Sequence, residues 1–267
     1  ISLTTTHNFT LRENKKEPIF LPNKELEPNQ SSDIIYTLET NISFSPESNI
    51  ESPDSVVRTT IDETYFFVLI SYYTEDYARD EFSVIKISKT GSMLFNKTFK
   101  LASAKITDIA VSNEGVYVCG SRYNQEIFEE EAVLIKLNKN SGDMDWIVNT
   151  NLTYYLKRIT IIGDHIFTAG FDYMGNPNLQ VIKWSFNGNQ VNSNTFGLPQ
   201  GVNSSFGIQG LEIYSDTQGL FLSYHYLYHS GWTAYEYPYI LSFDTNLALR
   251  WSIMLNVTNY NQTQTYG

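Results

Sequence analysis

The sequence predicts an all-β fold built from repeated four-stranded antiparallel units, and three observations support this. The 267 residues are 42% hydrophobic and 15% aromatic, with 19 Tyr and 16 Phe, a composition that fits pleated sheets better than helices. Apolar and polar residues alternate along short stretches, whereas helical periodicity is almost absent. Strand-like stretches also recur about every 50 residues, a period typical of repeat architectures.

Each unit opens with two strands. The first strands begin near residues 56, 105, 156 and 208 and read VVRTTID, KITDIAVS, LKRITIIG and IQGLEIYS. The second strands read TYFFVLISYY, GVYVCGSRY, HIFTAGFDY and QGLFLSYHY. Their alternating, β-branched and aromatic composition predicts strands that are buried on at least one face.

The third strand carries the clearest repeat. Its copies read FSVIKIS, AVLIKLN, LQVIKWS and YPYILSF. We align the isoleucines of these copies at spacings of 50, 47 and 58 residues, and they are Ile85, Ile135, Ile182 and Ile240. A turn with Gly or Asn follows each copy, as tight hairpins require. The fourth strand then brings Phe95, Trp146 or Trp251, with Asn192 near that place in the third unit.

A four-stranded sheet of this kind needs cover on both faces, and neighbouring copies can supply it. Radial packing of such sheets makes a β-propeller of roughly four to eight blades. We predict four complete blades, at about 55–100, 105–150, 156–196 and 208–255, within a propeller domain at 55–267 that ends with the start of a further unit. We expect residues 1–54 to form an N-terminal extension, in which 33–44 could supply one or two strands of a partial blade. Because ring closure removes sheet edges, we expect an incomplete ring or fragment that more chain or a partner completes.

The unit resembles the quinoprotein-like propellers and the short propeller repeats of bacterial type. The matching residues of the second unit are 116–120, 134–137, 141–143 and Trp146, and the resemblance extends over about 56–255. It implies a propeller fold. For quinoprotein enzymes it also implies a cofactor at the centre of the ring, but no residues can be assigned to one. We therefore expect no cofactor, and we favour a role other than catalysis without excluding an enzyme.

Charge and apolar patterning exclude two classes of partner. The net charge is −11 and no run of Lys and Arg occurs, so a nucleic acid partner is not expected. No stretch of 18 apolar residues occurs, so no membrane span is expected in this chain. Cys119, the one cysteine, aligns with Ala169 of the next unit, which predicts a small packed residue rather than a nucleophile.

An excess of Asn-x-Ser/Thr triplets predicts the compartment. Eight occur, where chance gives about four to five, and most lie in predicted turns or strand ends. They predict N-linked glycans and a secreted, cell-surface or lumenal location. The acceptors are Asn8, Asn29, Asn41, Asn96, Asn151, Asn203, Asn256 and Asn261.

The sequence offers little support for a metal site. His225 and His229 lie four residues apart, but in a predicted strand and loop, and neither His7 nor His165 completes a ligand pattern. The segment 138–145 faintly resembles a calcium loop, yet Asn149 stands where an acid is required, so a hairpin turn is favoured. Four glutamates are expected in a solvated loop: Glu126, Glu129, Glu130 and Glu131. No metal site is predicted.

The segment 223–239 is the most distinctive. Exposed Tyr and Trp offer a large, rigid contact area, although alternate tyrosines can also pack between blades. The candidate contact surface consists of Tyr224, Tyr226, Tyr228, Trp232, Tyr235 and Tyr237.

These observations predict a secreted or surface-exposed β-propeller glycoprotein that acts as a binding or assembly module in a larger protein or extracellular structure. Its partners would be other protein chains or the remainder of the same protein, together with N-linked glycans. Two alternatives remain. One is a propeller enzyme, either a quinoprotein-like dehydrogenase or a glycoside hydrolase. The other is a cytoplasmic interaction propeller, because such triplets also arise by chance.

Overall fold

A computed structural model describes residues 55–72, 81–124, 129–150, 154–172, 178–197, 208–230 and 233–255. These residues form sixteen β-strands in four separate four-stranded antiparallel sheets. This confirms the predicted all-β fold of four-stranded blades. In these ranges no helix has the length and apolarity needed to cross a membrane. The N-terminal extension predicted at 1–54 lies outside the described residues.

The four sheets are consecutive blades, each a simple meander in chain order. Blade 1 contains β1 (Ser55–Ile61), β2 (Tyr65–Tyr72), β3 (Glu81–Ser88) and β4 (Met93–Lys100). Blade 2 contains β5 (Ala104–Val111), β6 (Val116–Asn124), β7 (Glu129–Leu137) and β8 (Met144–Thr150). Blade 3 contains β9 (Tyr154–Ile162), β10 (His165–Asp172), β11 (Leu179–Ser185) and β12 (Gln190–Phe196). Blade 4 contains β13 (Ile208–Ser215), β14 (Gly219–Ser230), β15 (Thr233–Asp244) and β16 (Leu249–Met254).

Consecutive blades pack face to face, and this packing forms the core. Between blades 1 and 2, Phe67 and Val84 pack with Val133 and Ile135, all at most 1% exposed. Equivalent buried clusters lie between blades 2 and 3 and between blades 3 and 4. The second and third strands of blades 2 and 3 are therefore covered on both faces. This explains why their sequences read as near-continuous apolar runs.

Strand direction gives the assembly two distinct sides. The short turns within each blade, between its first and second and its third and fourth strands, lie on one side, which we call the turn side. Turns from blades 1, 2 and 3 meet there around one depression, lined among others by Asp62, Asn113 and Gly163. The opposite side, which we call the connection side, is where second strands pass to third strands and where one blade leads to the next.

The predicted alignment of the fourth unit is displaced by one residue. A register shift follows the same position in every third strand, after Lys86, Lys136 and Lys183 in the first three blades and after Ser242 in blade 4. Leu241, which is 5% exposed, therefore takes the place of the aligned isoleucines. Ile240 lies on the other face of β15 and is half-buried, because faces alternate along a strand.

Candidate functional site

Four charged residues occupy the same position in the four inner strands. Each lies one blade after the last at the same point of the strand register, and the sign of the charge alternates from blade to blade. We call them the axial charge cluster: Arg58, Asp108, Arg158 and Glu212. The cluster is not among the predicted sites, although its members recur at spacings of 50, 50 and 54 residues at one position of the repeat.

Arg158 and Glu212 form a two-pronged ion pair between blades 3 and 4. Arg158 Nε donates to Glu212 Oε2 at 2.8 Å, and Nη2 donates to Oε1 at 2.5 Å. The hydrogen bonds from Arg158 hold the pKa of Glu212 below its usual value. Arg158 Nη1 also donates to the carbonyl of Lys157 at 2.8 Å. Such a planar, two-bond arrangement fixes orientation as well as charge.

Asp108 ties blade 2 to blade 3. Its Oδ1 accepts a hydrogen bond from the backbone N–H of Ile109, and its Oδ2 accepts one from the backbone N–H of Ile159, both at 3.0 Å. Burial raises the pKa of this carboxyl, and the two backbone hydrogen bonds with the nearby arginines oppose that rise. The carboxylate therefore joins two inner strands through hydrogen bonds, and we call this contact the Asp108 staple.

Arg58 is the least satisfied member of the cluster. Its Nη2 lies 3.9 Å from Glu212 Oε1, at the outer limit of an ion pair. Its Nε is buried, with no hydrogen-bond partner for this atom among the described residues. Blades 1 and 4 thus both border the axis, and Arg58 retains an unused donor there.

Cys119 has the packing role that its alignment with Ala169 predicts. The side chain is 0% exposed, and burial raises the pKa of its thiol well above the usual value. Next to it, Thr107 Oγ1 donates to the carbonyl of Leu156 at 2.8 Å, which links blade 2 to blade 3. A thiol in this environment is a poor nucleophile.

The glutamates predicted in a loop are in part strand residues. Glu129, Glu130 and Glu131 belong to β7, because β6 and β7 remain paired as far as Asn124 and Glu129. Glu131 is 5% exposed, and it accepts a hydrogen bond from Asn124 Nδ2 at 2.6 Å. Glu126 lies outside the described residues.

The segment 138–145 forms the hairpin turn that the sequence favours. Asn138 Oδ1 accepts the backbone N–H of Asn140 at 2.9 Å and that of Ser141 at 3.1 Å. Gly142 follows with a φ of 75°, which glycine adopts without strain. The side-chain oxygen of Asn138 is thus used by the turn itself.

Two of the four histidine side chains, His165 and His225, are described. His165 Nδ1 is 2.5 Å from Asp164 Oδ1 on the turn side, whereas His225 is exposed on β14. His7 and the side chain of His229 lie outside the described residues. Within the seven described ranges, no group of three or more His, Cys, Asp or Glu side chains is placed to hold a metal ion.

The depression on the turn side is wide, open and acidic. Its volume is about 690 Å³, and four acids line it: Asp62, Glu63, Glu114 and Asp164. Asp62 has a structural task, because its Oδ1 caps the turn through the backbone N–H of Tyr65 at 2.6 Å and its Oδ2 pairs with Lys139 at 2.8 Å. The ion pair joins the turns of blades 1 and 2.

The second and third strands of blade 4 extend beyond their sheet. Each has 12 residues, whereas the equivalent strands of the other blades have 7 to 9. Pairing with β13 ends at Tyr226, and pairing with the β16 side ends at Pro238, whose carbonyl accepts the N–H of Leu255 at 2.9 Å. Beyond these points the two strands pair only with each other among the described residues. We call this part, residues 226–230 and 233–237, the blade-4 hairpin.

The hairpin carries a ladder of tyrosines. Its register pairs Tyr226 with Tyr237 and Tyr228 with Tyr235. Because strand faces alternate, all four backbone positions lie on the face that carries Tyr224 and Tyr239 nearer the core. The structure thus places four of the six predicted contact residues along one face of a projecting hairpin.

The first pair of the ladder is a packing contact. Tyr224 and Tyr239 are at most 5% exposed, and their rings stack at 5.3 Å. Burial raises the pKa of Tyr224 strongly. Tyr224 therefore anchors the hairpin against blade 3 in this structure. Trp232 lies outside the described residues.

One predicted glycan acceptor is described. Asn96 is exposed on β4, an outer strand, where a glycan can extend into solvent. The other seven acceptors, Asn8, Asn29, Asn41, Asn151, Asn203, Asn256 and Asn261, lie outside the described residues.

Comparisons with known proteins identify no family. No family model matches the chain, and no curated protein matches it. Among solved structures, the crystal structure of BamB from Moraxella catarrhalis is similar at 14% sequence identity and a TM-score of 0.41. The alignment covers 74% of this chain and 50% of the BamB chain, so this chain spans half the length of that protein. The fold assignment therefore rests on strand order and blade packing.

Proposed function

We propose that this chain is part of a secreted or surface-exposed β-propeller glycoprotein that acts as a binding or assembly module in a larger protein or extracellular structure. The observation that carries the proposal is the blade-4 hairpin, which projects on the connection side and carries the tyrosine ladder. Its partners are protein chains, recognised on that side.

The hairpin offers two kinds of contact. Tyrosine combines a large apolar ring with a polar tip and loses little conformational entropy on binding, so it suits protein interfaces. The outer edges of the hairpin also present backbone N–H and C=O groups without strand partners among the described residues, and such edges accept added strands. The buried pair of Tyr224 and Tyr239 gives the hairpin a rigid base.

The axis supports a scaffold role. The Arg158–Glu212 pair and the Asp108 staple occupy equivalent positions of inner strands, and they use their oxygens and nitrogens to join blades. Three of the four axial charges therefore have a structural role, because each of them joins two blades.

The compartment is tested by the mass of protein isolated from its natural source. We expect treatment with an amidase that releases N-linked glycans to lower the mass and to convert glycosylated asparagines to aspartate. Asn96, on an exposed outer strand, is the reference position. An unchanged mass at all eight acceptors would contradict the secreted assignment and favour a cytoplasmic interaction propeller.

The binding role is tested by site-specific photo-crosslinking in the native environment. A photoreactive residue replaces Tyr228 in the hairpin, and a matched control replaces Tyr214, which is 62% exposed on the turn side. We expect discrete protein adducts from position 228 and none from position 214. Y228S combined with Y235S should abolish recovery of the same partner by the epitope-tagged protein. Equal labelling at both positions would refute the hairpin as the binding site.

A further inference from the structure

In each of the first three blades, the next blade covers the outer strand in the same way. The outer strands β4 and β8 present alternate side chains to the third hairpin turn of the following blade. A Cβ built on Gly142 of blade 2 would lie 2.8 Å from the ring of Phe95, and one on Gly188 of blade 3 would lie 2.8 Å from Val148. Each turn thus sits directly on the preceding outer strand.

Blade 4 makes the same contact with β12 through polar groups. Asn192 Nδ2 donates to the carbonyl of Asn246 at 2.7 Å, and Asn194 Nδ2 donates to that of Leu247 at 3.0 Å. In all three interfaces the contacting turn contains a residue in the left-handed conformation: Gly142 at a φ of 75°, Gly188 at 81° and Leu247 at 67°. The interface is therefore a repeated structural element, in which the outer strand of one blade packs against the turn between the third and fourth strands of the next.

The outer strand of blade 4 has an equivalent face, and no turn of the described residues covers it. The register makes Trp251 the equivalent of Phe95 and Trp146, opposite the bulge position of the third strand. Trp251, Ile253 and Leu255 are 42%, 47% and 45% exposed, whereas the equivalent alternate residues of β4 and β8 are half-buried. Three large apolar side chains on one exposed strand face mark an unfilled interface.

Arg58 supplies an independent indication at the axis. Its reach to Glu212 shows that the inner strands of blades 1 and 4 border the same gap. Its buried Nε has no acceptor among the described residues, whereas Arg158 is fully paired with its neighbour in the next blade. A buried donor without a partner destabilises the folded state, and an acceptor in the gap would relieve this cost.

We propose that the Trp251–Ile253–Leu255 face binds a further four-stranded blade of the same polypeptide. That blade places a turn residue of left-handed conformation on Trp251, and its inner strand provides an oxygen acceptor for Arg58. The source is the same polypeptide because all three existing copies of this interface join consecutive units of one chain. This inference concerns closure of the ring and does not depend on the binding role of the hairpin.

Hydroxyl-radical footprinting tests the proposal on the 267-residue chain and on the protein isolated from its natural source. Trp146 is the internal control, because it occupies the equivalent position under the turn of blade 3. In the 267-residue chain we expect Trp251 to oxidise severalfold faster than Trp146. In the natural protein the two rates should be similar, with one polypeptide per particle by light scattering.

Two results would overturn the proposal. Rapid oxidation of Trp251 in the natural protein would show that nothing covers the face. Protection of Trp251 only in particles with two or more polypeptides would show that the cover comes from another chain.

A pair of substitutions provides a second readout. I253D should lower the melting temperature of the natural protein by several degrees and leave that of the 267-residue chain unchanged. I147D is the matched control, because Ile147 is a 37% exposed isoleucine of β8 on the face that does not meet the next blade. It should have little effect in either protein, and an equally small effect of I253D in the natural protein would contradict the proposal.

Discussion

The axial charge cluster explains how single residues fix the order of the blades. Each member comes from a different inner strand, and opposite charges meet between neighbours, most closely at Arg158 and Glu212. A blade placed out of order would bring like charges together or leave a carboxylate without a partner. The cluster therefore adds specificity to an interface whose apolar part is similar from blade to blade.

Glu212→Gln should make the protein less stable at neutral pH and less sensitive to acid. Because Arg158 depresses the pKa of Glu212 in the folded protein, its contribution is present above the ordinary value of 4.5 and is lost as the pH falls through the lower folded value. We expect a loss of roughly 1 kcal/mol at pH 7, since the carboxylate is partly solvated. Urea unfolding at pH 7 and below pH 4 measures both effects.

Asp143→Asn is the control for Glu212→Gln. Asp143 forms an exposed ion pair with Lys97 at 2.9 Å, and surface pairs of this kind contribute little to stability. The structural role of Glu212 would be disproved if E212Q and D143N had equal effects at pH 7, or if E212Q left the acid dependence of unfolding unchanged.

The sequence predicts which residues pack in the core more clearly than it predicts the role of the charged ones. Cys119 was correctly placed as a core residue because its repeat partner is Ala169. The pattern does not single out the charges of Arg58, Asp108, Arg158 and Glu212, because a lone charge in a strand resembles a solvent-facing residue. Only the closing of the inner strands around one axis brings these charges together.

At the scale of the strand, blades 2 and 3 share a feature: a bulge in the first strand lies opposite a glycine of the second strand. The pairing of β5 with β6 shifts between Ile106 and Asp108, opposite Gly120. Without a Cβ, Gly120 lets the carbonyl of Lys105 approach to a position 2.0 Å from where that Cβ would lie. Asp108 follows directly after this bulge in β5.

Gly120→Ala should destabilise the protein by roughly 2–4 kcal/mol, because the new methyl group collides with backbone that cannot move without breaking strand pairs. Gly197→Ala is a matched control, since its Cβ would meet only Asn178 Oδ1 at 3.7 Å. Thermal and urea unfolding of both variants measure the difference. A G120A protein as stable as G197A would show that the bulge relaxes freely.

The one-residue displacement in blade 4 illustrates a limit of reading strands from sequence. Ile240 and Leu241 are both aliphatic, so the local pattern fits either alignment. Pairing with β16 and packing on blade 3 decide in favour of Leu241, and neither contact is visible within the strand itself. The spacing of 58 residues in the fourth unit likewise does not distinguish a longer loop from longer strands.

At the scale of the whole molecule, stability is distributed over interfaces between neighbouring blades. Among the described residues, three of the four buried clusters join two consecutive blades, so the assembly resembles a linear repeat array with nearest-neighbour coupling. The described blades therefore differ mainly in how many neighbours cover them.

Trp146→Ala and Trp251→Ala should differ sharply in the 267-residue chain, although the two residues occupy equivalent positions. Trp146 packs beneath the turn of blade 3, and its loss should cost roughly 2–3 kcal/mol. Trp251 is 42% exposed, and its loss should cost less than about 1 kcal/mol. Urea unfolding monitored by circular dichroism measures both. Equal losses would indicate that the face of blade 4 is already covered in this chain.

The stacking of four similar sheets could be predicted because the repeat is visible in the sequence. Four copies of one apolar pattern imply four similar sheets, and sheets with two apolar faces must stack. The partners of the outermost faces were not predictable in detail, since the repeat describes what blades share and not how the series is terminated.

The separation of the turn side from the connection side has an evolutionary consequence. A lengthened turn would lift a blade off the strand beneath it, so insertions on that side detach neighbours. Strands that run on past the opposite side, as in blade 4, disturb no such contact. New specificities can therefore accumulate at one pole of the protein while the other pole stays conserved.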